Sequence, residues 1–171
     1  MNIVTRLCIS LDGYITTPDG WPVQLADPNF SPEAYGFDEF QKTLDGVLMG
    51  RTTFEPALQA PRWPWPDLGV YVLASHRPDG TPEDVVIDSD PQRLLEQLPQ
   101  DGDVHLVGGP RTIEAFRALD ALDKLGLIVV PLLVGDGMRL TPSISTDTSL
   151  TLESERSLRG GLVELSYEVR R

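Results

Sequence analysis

Short apolar runs alternate along the chain with segments of helical spacing, and glycine, proline and aspartate separate them. Ile3 to Ser10 is rich in β-branched residues and stops at Asp12-Gly13, which predicts a strand and a turn. From Tyr14 to Phe30 the pattern breaks at Pro18-Asp19-Gly20, Pro22 and Asp27-Pro28-Asn29. This long loop around Trp21 reads either as a binding loop or lid, or as a connector with Trp21 tucked onto the core. Ser31-Pro32-Glu33 opens a helix, with Phe37, Phe40 and Leu44 on its apolar face. Val47 to Met49 is a strand closed by Gly50. Thr52 and Glu55 then have the spacing of a capping box, and Pro61, Pro64 and Pro66 keep the following helix short.

Gly69 to Ala74 and Val85 to Asp88 read as further strands, and Asp90-Pro91 caps a helix carrying Leu94, Leu95 and Leu98. Val104 to Val107 precedes a helix with Ile113, Phe116 and Leu119. Leu125 to Val134 is the longest β-like run. Leu150 to Glu155 and Leu162 to Val169 alternate with period two around Arg159-Gly160-Gly161, which predicts an antiparallel hairpin. Strands in turn with helices, closed by a hairpin, specify an α/β fold. Its central sheet is mostly parallel, with helices on both faces and an antiparallel C-terminal hairpin.

A chain of 171 residues, 40% apolar, is expected to form a single domain over 1–171. Its net charge of −12 disfavours nucleic acid and anionic membrane as partners. Cys8 is the one cysteine, and with two histidines it supplies neither a disulfide nor a metal-ligand set. No apolar run approaches the roughly 20 residues of a membrane span, and the N-terminus does not read as a signal peptide. A reducing cytoplasm is the expected location.

Within this acidic background, arginine recurs just after strands, at Gly50-Arg51-Thr52-Thr53, Ser75-His76-Arg77 and Gly108-Gly109-Pro110-Arg111-Thr112. The last turn predicts a helix with Pro110 first, whose N-terminal N–H groups on Arg111, Thr112 and Ile113 would face an anion. Arginine grips phosphate through parallel hydrogen bonds, so Arg51 and Arg77 are candidates for a ribose-bound phosphate, favouring NADP over NAD. No GxGxxG or GxSxG motif is present. Gly135-Asp136-Gly137 reads foremost as a strand-terminating turn.

Val47-Leu48-Met49-Gly50-Arg51-Thr52-Thr53-Phe54-Glu55, Val72-Leu73-Ala74-Ser75 and Val107-Gly108-Gly109 with Arg111 and Phe116 resemble the NADPH-binding segments of dihydrofolate reductases. Ser10-Leu11-Asp12-Gly13-Tyr14-Ile15 and Val130 to Gly137 resemble the reductase half of bacterial riboflavin-biosynthesis deaminase-reductases and their stand-alone relatives. The resemblance implies a three-layer αβα dihydrofolate reductase-like fold, NADPH as cofactor, a small-molecule substrate and a homodimer.

By the same resemblance, Gly50, Arg51, Thr52 and Thr53 would hold the pyrophosphate and adenosine side of the cofactor. Ser75, His76 and Arg77 would meet its 2′-phosphate, and Gly108, Gly109, Arg111, Thr112 and Ile113 would meet the pyrophosphate from the other side. Backbone near Cys8 and Ile15 would dock the nicotinamide carboxamide, and the Gly20-Trp21-Pro22 loop would close over the ring. Two departures concern the substrate. Tyr14 stands where riboflavin-pathway reductases carry lysine, and Ala34 falls where dihydrofolate reductases carry a helical carboxylate. Glu33, Asp38 and Asp12 are left as candidate proton donors or substrate contacts. The implied activity is NADPH-dependent reduction of a pterin or a 5-amino-6-ribosylaminouracil-type pyrimidine. The alternative is a cofactor-binding or regulatory module of the same fold without turnover.

Overall fold

The computed structural model describes residues 1–141 and 147–170. Its elements run β1 (Asn2–Ser10), α1 (Pro32–Tyr35), α2 (Phe37–Gln41), β2 (Gly46–Gly50), α3 (Arg51–Leu58), β3 (Gly69–Leu73) and β4 (Val86–Asp88). They continue with α4 (Pro91–Glu96), β5 (Asp103–Gly108), α5 (Pro110–Ala118), β6 (Lys124–Val130), β7 (Leu150–Ser157) and β8 (Val163–Val169). The strands form an eight-stranded sheet in the order β4-β3-β2-β5-β1-β6-β8-β7. Pairings of β1 with β5, β2 with β5, β2 with β3 and β3 with β4 are parallel, whereas β8 is antiparallel to both β6 and β7. This is the predicted α/β architecture. Among the described residues no helix is long and apolar enough to cross a membrane.

The chain divides into two compact units. The first comprises Met1–Val4 and Leu44–Leu122. Every residue of β2 is buried, as a continuous apolar run flanked by parallel strands requires. Val47, Met49, Phe54, Val70 and Val72 build its core, with Trp63 and Trp65 packed against it. Register between β2 and β5 shifts after Leu48, so that Met49 lies opposite Gly108. This irregularity carries the glycine turn after β5 to the end of β2.

The second unit comprises Thr5–Thr43 and Asp123–Arg171, with a core of Cys8, Val23, Tyr35, Ile128, Val130 and Leu162. The helix expected to run on from Ser31 is divided into α1 and α2. Gly36 adopts a left-handed conformation (φ 63°, ψ 33°), and its N–H closes on the carbonyls of Glu33 and Pro32. Such a glycine ends a helix at no steric cost. The strand expected from Leu125 to Val134 stops at Val130, because Pro131 has no N–H to give the ladder.

Candidate functional site

In the first unit the sequence leaves two helix N-termini open. The α4 terminus is closed by a side chain, since Asp90 Oδ1 accepts the N–H groups of Gln92 (2.8 Å) and Arg93 (3.3 Å). By contrast, α3 starts from Gly50 and α5 from Gly109, both in extended backbone and neither with a capping side chain. The adjacency of β2 and β5 sets these termini side by side. A Cβ on Gly50 would lie 2.4 Å from Thr112 Oγ1, and one on Gly108 or Gly109 would lie 3.9 Å from Thr53 Oγ1. Gly108 has φ +135°, open only to glycine among ordinary residues, and the Gly108–Gly109 peptide is cis. The result is two positive helix ends over a floor without side chains, edged by the hydroxyl-bearing residues Thr53 and Thr112. An anion with two adjacent phosphates suits it.

Two local expectations are corrected. Thr52 does not cap α3: Gly50 is the cap, so the helix begins two residues earlier than expected, and Glu55 instead accepts both of its hydrogen bonds from Arg51 Nη1 (2.9 and 3.0 Å). In α5, the N–H groups of Thr112 and Ile113 both turn back to Gly109 O (2.9 and 3.0 Å), so of the three expected outward donors Arg111 is the one left.

The basic residues differ in their freedom. Arg111 and Arg51 are exposed, and the Arg51–Glu55 pair is a solvated helix pair that a stronger anion can displace. Arg77 is engaged in shaping its own loop, donating to the carbonyls of Pro82 (3.2 Å), Glu83 (3.5 Å) and Val85 (2.8 Å). Ser75 Oγ and His76 Nδ1 are 3.3 Å apart, and both residues are exposed.

The second unit holds the residues expected near nicotinamide and substrate. Ile15 donates its N–H to Met138 O (2.8 Å) and accepts from Val23 N–H (3.0 Å), so a second carbonyl lone pair is what it offers a ligand. Asp12 binds the loop after β6. It accepts from Ser10 Oγ (2.6 Å), Gly135 N (2.8 Å) and Val134 N (3.2 Å). These hydrogen bonds, that from Ser10 foremost, hold its carboxyl below the ordinary range and favour the ionised form. Glu33 and Asp38 are exposed on α1 and α2. Trp21 is 66% exposed, which excludes the tucked alternative.

Burial pushes the Cys8 thiol up to about 12, although the nearby Arg6 charge opposes the shift. A thiol held protonated is a poor nucleophile. Cys8 is therefore expected to resist iodoacetamide at pH 8 in the native protein and to label fully in denaturant, as mass spectrometry would show.

Two further arrangements carry little signal in the sequence. Asp27, read as part of a turn, is the buried carboxylate of the described residues, and its Oδ2 accepts from the Tyr35 hydroxyl at 2.8 Å. Burial foremost, then this hydrogen bond, raises the Tyr35 phenol well above its ordinary range. Arg139, which no local motif marks, stacks on Tyr14 with 4.5 Å between the guanidinium carbon and the ring centroid.

The model for the RibD C-terminal domain matches residues 2–163. The chain belongs to this family. The YwjB protein of Bacillus subtilis, itself uncharacterized, is 28% identical over 169 residues, covering 96% of this chain and 95% of that protein. A Shewanella sp. PV-4 protein named for riboflavin biosynthesis superposes with a TM-score of 0.79 at 24% identity, covering both chains completely. Dihydrofolate reductase from Enterococcus faecalis, solved with NADP(H) and RAB-propyl, gives a TM-score of 0.68 at 20% identity, covering 99% of this chain and 97% of that one. The fold is thus dihydrofolate reductase-like, and membership of the RibD C-terminal domain family supports a reductase-type function.

Proposed function

We propose that this RibD C-terminal domain protein is an NADPH-dependent reductase of a small heterocycle, either a pterin or a 5-amino-6-ribosylaminouracil-type pyrimidine. The observation that carries the reading is the pair of uncapped helix N-termini at Gly50 and Gly109, whose glycine floor a single methyl group would fill. These turns fit the pyrophosphate. The Enterococcus dihydrofolate reductase of similar fold is complexed with NADP(H), which supports the choice of cofactor.

When bound, the cofactor supplies a hydride. Gly50, Thr52, Thr53, Gly108, Gly109, Thr112 and Ile113 form the two turns, with Arg111 giving the remaining outward N–H of α5. Because Arg77 is committed to its loop carbonyls, Arg51, Ser75 and His76 bear more of the preference for a 2′-phosphate. Orientation and water exclusion are the larger part of what hydride transfer asks of a protein. The accompanying proton comes through ordered water: Asp12 is held ionised, and Glu33 and Asp38 face solvent.

Those acid placements also favour the alternative of a cofactor-binding module without turnover. Monitoring NADPH absorbance against a panel of oxidised pterins and aminopyrimidines separates the two. Acceptor-dependent oxidation is expected, and NADPH binding with no oxidation by any acceptor would favour the module.

A further inference from the structure

We infer that Arg139, held over the ring of Tyr14, is a receptor for an oxyanion carried by the substrate, a carboxylate or a phosphate monoester. The inference rests on the reductase reading for the identity of the ligand as substrate, while the receptor itself is argued from its own geometry. Tyr14 and Arg139 face each other in an isolated antiparallel bridge. The strand segments around them are locked, since Ile15 N–H donates to Met138 O (2.8 Å) and Met138 N–H donates to Thr16 Oγ1 (2.8 Å). Arg139 Nη2 donates to the Tyr14 hydroxyl at 3.1 Å. A Cβ on Gly13 would lie 3.3 Å from Nη1, so the guanidinium rests over glycine backbone as well as over the ring.

This ordering precedes any ligand, and the charge is left available. Arg6, Arg51, Arg93, Arg117 and Arg156 each pair with a carboxylate. Arg139 is exposed and pairs with none among the described residues, although acidic residues outnumber basic ones by 26 to 14 in the chain. A guanidinium has five N–H donors, and the one bond to the Tyr14 hydroxyl leaves others for an oxyanion. The pair also follows directly on β1, at the carboxyl end of a strand, where open α/β sheets receive ligands.

The test is calorimetric titration of the NADPH-loaded full chain with two matched pairs, pterin-6-carboxylate against 6-hydroxymethylpterin and uridine 5′-monophosphate against uridine. In the wild type, the anionic member of at least one pair is expected to bind about 10- to 100-fold more tightly, the range for charge-assisted hydrogen bonds. The pair showing the preference identifies the carboxylate or the phosphate. Arg139→Ala should erase the preference by weakening only the anionic ligand, and Arg139→Lys should restore part of it. Equal binding within both pairs, absence of binding by all four, or a preference that survives Arg139→Ala would overturn the inference. NADPH affinity, measured first on each protein and expected to be unchanged by Arg139→Ala, separates these outcomes from a failure of the cofactor reading.

Discussion

Gly50→Ala is expected to weaken NADPH binding about tenfold or more, the loss that follows when about 1.4 kcal/mol of a helix-terminus interaction is removed. The backbone at Gly50 (φ −85°, ψ 165°) suits alanine, so the effect is steric rather than conformational. The new methyl would meet Thr112 Oγ1 at 2.4 Å, and Thr112 is 5% exposed. A β-branched side chain inside a helix has few rotamers with which to withdraw. Overpacking of this kind lowers stability by about 1–3 kcal/mol. The double variant Gly50→Ala/Thr112→Ala removes the clash and should recover most of that stability. It should not recover cofactor affinity, because the methyl still covers the floor and the hydroxyl is gone. Urea unfolding and NADPH titration of both variants check the two effects separately.

Glu164→Ala is expected to destabilise the protein by about 3–5 kcal/mol, the cost of leaving a buried charge without its partner. Arg6 has a side chain 6% exposed and donates through Nε to Glu164 Oε1 at 2.6 Å. Its Nη2 donates to Tyr35 O (2.6 Å), and the guanidinium lies over the rings of Phe37 and Phe40. Among the described residues Nη1 has no hydrogen-bond partner, so no alternative acceptor stands ready there to replace the carboxylate. Glu164 also accepts from Arg156. Burial pushes the Glu164 carboxyl up, but hydrogen bonds from Arg156 and Arg6 outweigh it and hold the group below its ordinary value of 4.5. A depressed folded pKa means that the stabilisation is present above pH 4.5 and is lost as pH falls through the folded value. Unfolding of wild type and Glu164→Ala should therefore differ most at neutral pH and converge in acid. A constant difference down to pH 2 would contradict this account.

The two glycine turns between strand and helix were legible because each is local: strand, glycine and helix start are contiguous at Gly50 and again at Gly108-Gly109. The alternation of the C-terminal strands was readable for the same reason. What escaped was decided by distant partners. Arg6 interrupts an apolar strand and acquires its meaning from Glu164, 158 residues away. Asp12 is tied to Val134 and Gly135, and Arg139 finds its partner in Tyr14, 125 residues away. Arg77 carried the residue type of a phosphate ligand, but the carbonyls that occupy it converge through the fold of its own loop. The break at Gly36 was written locally, yet the aromatic spacing that continues through Phe37 and Phe40 masked it.

The two uncapped helix ends are proposed to bind the pyrophosphate of NADPH. Calorimetric titration of the wild type with NADPH, repeated with Gly50→Ala, tests it most directly. One saturable site per chain is expected in the wild type, with about tenfold or greater weakening in the variant. No binding by the wild type, or equal affinities in the two proteins, would contradict it.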